Sequence, residues 1–287
     1  MINALLVVWR EAFEAILVIG ILFAALRRRS SEEARAGRKF IAIGLVAGLG
    51  LAMALAFALN AAETELEGAA LEWFQTGMMI VAAGLILHMC LWMKKHGRTL
   101  KRELESSIGS AFDKGNLWGV AVVTALAVGR EGMETVLFLY GMGMQAIEEG
   151  QVATLGLYAA AGLALAIGTG FVLARGLRFL DQKWFFRIST LVLMLLAGSL
   201  VIQATSRLIQ ADVLPALVPQ VWNTAWLLDE RSGLGKFIAT LTGYQSEPSL
   251  MVVLCYVAYW AVYLVLSKLE GKAAAASIRP KEVFRAS

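Results

Sequence analysis

The sequence predicts an all-α protein that crosses a membrane several times, and three observations predict it. Of its 287 residues, 59% are hydrophobic and 17% charged, with a mean hydropathy of +0.67. A soluble domain lies nearer half apolar and a quarter charged. The apolar residues also come in blocks of about 20, the length at which a helix crosses ~30 Å of hydrocarbon. Finally, the basic residues collect between alternate blocks, as they do when loops sort to one side of a bilayer.

In hydrocarbon each backbone N–H and C=O must be satisfied within its own segment, so the blocks are read as helices. Seven spans are predicted, at about 3–26, 40–59, 71–93, 117–146, 154–174, 188–206 and 249–267. The first is not read as a cleaved leader, because Arg10, Glu11 and Glu14 stand where such a segment is uncharged. The connection 27–39 carries six Lys and Arg, 94–115 six, 175–187 four, and the tail from Lys268 five. That puts 21 of 26 positive residues on one side. The positive-inside rule makes that side cytoplasmic, with the amino terminus outside a cell membrane and the carboxyl terminus inside. The net charge of +4 is therefore a topology signal, and no nucleic-acid partner is expected.

Smaller features complete the map. In 98–113, Leu100, Leu104, Ile108 and Phe112 recur every four residues among charges, which predicts an interfacial amphipathic helix. The outer segment 207–248, with Trp222 and Trp226 four apart, is read as short helices at the membrane interface. Cys90 and Cys255 lie in apolar blocks and are read as small packing residues. With four prolines and no Ser/Gly-rich linker, residues 1–287 are read as one transmembrane domain.

Two spans break the apolar rule in the same way. "WREAFEA" places Arg10, Glu11 and Glu14 in span 1, and "GREGMET" places Arg130, Glu131 and Glu134 in span 4. At about 100° per residue, the three members of each motif share one helix face. Arg and the second Glu, four apart, can pair; the two glutamates, three apart, can grip one object. Each ionised group at mid-bilayer costs ~2.5–3.5 kcal/mol, so the six demand a reason. Ion pairing alone is a poor one, since apolar replacement of buried pairs is often neutral or stabilising. Four carboxylates against two guanidiniums leave a surplus negative charge that a bare cation would neutralise. Two ion pairs beside two protonated glutamates are the structural alternative.

The topology makes the two motif helices antiparallel. Glu14 and Glu134 lie about eleven and twelve residues from the outer ends of their helices, at a similar depth of ~17 Å. Spans 1–3 (about 1–93) and 4–6 (about 117–206) are read as inverted three-helix repeats, with 249–267 appended, an architecture that places a site at the repeat interface. Gly44 and Gly48 in span 2, and Gly162, Ala166 and Gly170 in span 5, are small residues at four-residue spacing and are read as helix-packing stripes.

Oxygen-only ligation by Glu11, Glu14, Glu131 and Glu134 suits hard cations such as Mg, Ca, Mn or iron. Arg10 and Arg130 would balance the empty site. The motifs resemble the paired R-E-x-x-E signatures of the high-affinity iron permeases, also called oxidase-dependent iron transporters, a family that includes the bacterial EfeU-type permeases. The likeness extends through "LWMKK" ending span 3, the basic loop, and "GYQSEPS" before the last span. The resemblance implies iron uptake across the cytoplasmic membrane, with the motif glutamates as ligands. Iron would be cargo, with no cofactor permanently bound, and an extracytoplasmic protein would oxidise or deliver it. One departure stands out: where bacterial relatives carry an acidic residue at the outer start of span 3, this chain has Gln75, with Glu72 one turn earlier as a possible substitute.

Lesser candidates carry plainer readings. Glu63, Glu65, Glu67 and Glu72 lie in an outer stretch without basic residues, where they could concentrate cations or simply be solvated; Glu148 and Glu149 share that ambiguity. His88, Met89 and Cys90 point in different directions on a helix, so packing is favoured, with His88 left as a possible accessory ligand. His96 is read as surface. Met133, Met142 and Met144 are read as gap fillers, not as a copper path. Gln203, Thr205 and Ser206 could line a path or bond backbone carbonyls. Two other functions are weighed: a carrier of another hard divalent cation, manganese or lead, and an intramembrane ferroxidase or metalloprotease. Against the enzymes, neither the Glu-x-x-His pairs of di-iron oxidases nor H-E-x-x-H occurs.

Overall fold

The computed structural model describes residues 2–27, 29–96, 106, 109–110, 116–148, 150–175, 182–230 and 232–277. Among them are eight helices and no strand: α1 (Ile2–Leu26), α2 (Ser31–Glu65), α3 (Ala69–His96), α4 (Leu117–Glu148), α5 (Val152–Ala174), α6 (Gln182–Gln210), α7 (Gly233–Thr242) and α8 (Leu250–Ser277). Five of these, α2, α3, α5, α6 and α8, contain a stretch long and apolar enough to cross a membrane. The 25-residue α1 and the 32-residue α4 are also long, but each carries the three charged residues of its motif.

Several helices outrun the apolar blocks that announced them. Against the expected 40–59, α2 begins at Ser31, where the Ser30 hydroxyl accepts from the Glu33 amide and Glu32 and Glu33 occupy the first turn. An N-cap and acidic residues there favour helix whatever the hydropathy. The amphipathic helix expected over 98–113 falls almost wholly outside the described residues, as does Glu149.

The chain divides into two compact units. One comprises Met1–Ala82 and Thr99–Leu193; the other comprises Ala83–Arg98 and Met194–Ser287. In the first unit, α2 packs extensively on α4 and α1 on α5, and α1 also meets α4. Both extensive contacts run along the small-residue stripes. A Cβ on Gly48 would stand 2.9 Å from the Ala125 carbonyl oxygen and from the Gly129 amide nitrogen of α4. A Cβ on Gly162 would stand 2.5 Å from the Leu5 carbonyl oxygen of α1. Backbones this close need glycine, which is how the stripe seats one helix against the next. The Trp9 indole donates to Thr169 Oγ1 at 3.1 Å, tying α1 to α5 once more.

In the second unit, the Tyr259 hydroxyl of α8 donates to the Met194 carbonyl of α6 at 2.9 Å, and Gly198 lies against the Tyr256 ring. The segment 207–248 differs from its expected form. Its first residues complete α6, α7 is its one further helix among the described residues, and Trp222 and Trp226 lie on non-helical chain. Backbone bonds from Val221 to Pro248, from Leu250 to Val218 and from Thr224 to Ser246 lace it to the start of α8. Ser232 caps α7, and Gly243 ends it in the left-handed region at φ 76°. On α6, Thr205 bonds the Val201 carbonyl, Gln203 donates to Ser199, and Ser206 accepts from Gln245.

Candidate metal centre

The two motif helices each turn their charges inward, but not equally. On α1, Arg10 Nη1 donates to Glu11 Oε1 at 2.7 Å, and Nη2 lies 2.6 Å from Glu14 Oε1. This guanidinium bridges both glutamates, and Arg10 and Glu11 are 1% and 0% exposed. On α4, Arg130 Nε and Nη2 both donate to Glu131 Oε1, at 3.0 and 2.6 Å. Glu134 is held more loosely, 3.7 Å from Arg130 Nε. Glu131 is 2% exposed, while the Arg130 side chain is 42% exposed.

Across the α1–α4 contact, Glu11, Glu14 and Glu131 each present a carboxylate oxygen, and the three lie within 4.8 Å of one another. Glu134 stands outside this trio, yet near enough for its charge to act on Glu11 and Glu14. The second oxygens of Glu11, Glu131 and Glu134 are buried without a hydrogen-bond partner. Leaving a buried acceptor unsatisfied costs ~1–3 kcal/mol, more when it is charged. Arginine hydrogen bonds therefore occupy one oxygen of Glu11 and one of Glu131 and leave the other bare. Buried carboxylates gathered this closely are the donor set that a hard cation takes.

The remaining sequence candidates are dispersed. Gln75 is buried in α3, while Glu72, about 60° round the helix, faces outward and stands outside the trio. His88 is exposed. At the end of α2, Glu63 is half-buried and accepts a hydrogen bond from the Tyr140 hydroxyl of α4, whereas Glu65 and Glu67 are exposed. Tyr140 packs edge-on against Phe74 of α3, with ring centroids 6.4 Å apart. Sequence reading missed this tyrosine, although a phenol within an apolar run needs a partner and so carries a signal.

Long apolar helices around buried, ion-paired carboxylates define a polytopic helical membrane protein. The profile of the iron permease FTR1 family matches residues 1–276, and the chain belongs to that family. It is 27% identical over 274 residues to a "Ferrous iron permease EfeU" of Yersinia pestis, covering 95% of each chain. It is 29% identical over 262 residues to the protein of the same name from Escherichia coli O6:K15:H31, covering 91% of each. These relatives are permeases, transport proteins and not enzymes, and the chain is a multi-pass membrane permease. No solved structure matches it.

Proposed function

We propose that this permease imports iron across the cell membrane, with Glu11, Glu14, Glu131 and Glu134 as its transient ligands and Arg10 and Arg130 as counter-charges. The observation that carries this reading is the trio of buried carboxylates within 4.8 Å, drawn from two helices. The family and the relatives' names supply the metal; the donor chemistry agrees, since carboxylate oxygens favour hard iron over soft copper. Iron is cargo here, and no permanently bound cofactor is part of the proposal.

The proposal includes seven spans, with α1 and α4 crossing beside the five apolar helices and α7 lying outside. It includes inverted repeats too. Exchanging helices one to three with four to six turns the α1–α5 contact into α4–α2, the two extensive pairings of the first unit. The division between units also falls within both α3 and α6, the third members of the two repeats. The basic loops favour a cytoplasmic carboxyl terminus and an external amino terminus. An external protein that oxidises or delivers iron belongs to the same proposal, with Glu63, Glu65 and Glu67 collecting the ion at the entrance.

Radiolabelled iron uptake tests this reading. Glu14→Ala or Glu134→Ala should abolish uptake while the protein still reaches the membrane; undiminished uptake by both variants would overturn the site. Proteoliposomes supplied with ferrous or ferric iron, each against competing manganese, should show iron preferred and identify the oxidation state carried.

A further inference from the structure

Two chemically identical motifs sit in unlike surroundings. The side chains of Arg10, Glu11 and Glu14 are 1%, 0% and 7% exposed; those of Arg130, Glu131 and Glu134 are 42%, 3% and 19% exposed. The pairing differs alike: Arg10 holds its second glutamate at 2.6 Å, while Arg130 stands 3.7 Å from its own. The α1 half is closed and the α4 half is open.

Arg130 is 14th among the 32 residues of α4, so its exposure falls near mid-span. A guanidinium at that depth faces lipid only at a heavy desolvation cost, so its open side faces water. The four-residue ridge through Arg130 shows which end that water comes from. Toward the start of α4 it carries Leu126, Val122 and Trp118, all exposed and apolar, a surface suited to lipid. Toward the other end it carries Glu134, partly exposed and charged, and then Phe138, fully buried, so the opening leaves the ridge on the side of Met133 and Leu137, both half-exposed.

We propose that water, and with it the ion, reaches the carboxylates from the outer side along the Glu134 flank of α4, making Arg130 the access-side counter-charge and Arg10 a fixed positioning residue for Glu11 and Glu14. The proposal rests on the topology and site described under Proposed function. It assigns the two motifs different tasks: α4 receives the ion and α1 completes its shell.

The test is modification of introduced cysteines by a membrane-impermeant cationic methanethiosulfonate applied outside intact cells. The background is the full chain carrying Cys90→Ala and Cys255→Ala. Arg130→Cys and Glu134→Cys should react, and Arg10→Cys should react at least tenfold more slowly. Met133→Cys, half-exposed beside Glu134, provides a variant that leaves both motifs intact and should react as well. Lack of reaction at positions 130, 134 and 133, or equal rates at 10 and 130, would overturn the proposal. Reaction only from the cytoplasmic face, in inside-out vesicles, would overturn its direction. No iron is present in this assay, so its failure leaves uptake by the unmodified protein, and hence the proposed function, standing on its own measurement.

Discussion

Arg10 contributes two nitrogens to two different glutamates, at 2.7 and 2.6 Å. A lysine has one nitrogen and no fork, so it cannot hold both carboxylates in that geometry. Arg130, half-exposed and bound chiefly to Glu131, asks less of its geometry. Arg10→Lys should therefore lower iron uptake on the order of tenfold, the effect of ~1.4 kcal/mol, and Arg130→Lys by clearly less. Uptake rates at matched membrane abundance would check this, and equal losses would count against the fixed role of Arg10. Glu63→Gln keeps an acceptor for Tyr140 but removes a charge from the carboxyl-terminal end of α2. It should slow uptake only at low iron, because a charge that concentrates cations ceases to matter once they are abundant. The R-E-x-x-E spacing alone made the four glutamates and two arginines legible as candidates. The bare second oxygens were not legible, because they depend on where each guanidinium comes to rest.

Between helices, close approach of backbones is what holds the first unit together. The α2–α4 and α1–α5 interfaces depend on Gly48 and Gly162, where any side chain would meet the neighbouring backbone. Gly48→Leu and Gly162→Leu should each destabilise by about 1–3 kcal/mol or more through overpacking. Gly50 and Gly168, on the same two helices, have nothing within 4 Å of where a Cβ would stand, and leucine there should be tolerated. Thermal unfolding of detergent-solubilised protein, followed by size-exclusion chromatography, would separate the pairs. Existence and order of the long helices were readable from hydropathy. Their ends were not, as α2 shows, because capping at Ser30 and acidic first-turn residues act outside the apolar block. The segment 207–248 misled for a related reason. Two tryptophans four apart suggest a helix, but the backbone bonds between 216–224 and 246–251 settle that stretch in a non-helical path.

At the scale of the whole molecule, charge sets sidedness. Alkaline phosphatase, active only outside the cytoplasm, should be active when fused within the loop at Gly68 or at Ala225 and inactive when fused to the carboxyl terminus. Activity at the carboxyl terminus would invert the proposed topology and, with it, the direction of ion access.

The sequence by itself determined that this chain is a helical membrane protein of the iron permease family, since hydropathy, loop charge and paired motifs are linear properties. It also determined which six residues carry the unusual charge. Only the tertiary structure decided that Glu11, Glu14 and Glu131 meet within 4.8 Å, that Glu63 belongs with Tyr140, and that one motif is sealed while its twin is open. The physical reason is that burial and convergence are set by neighbouring helices, and two identical motifs read alike until different neighbours surround them.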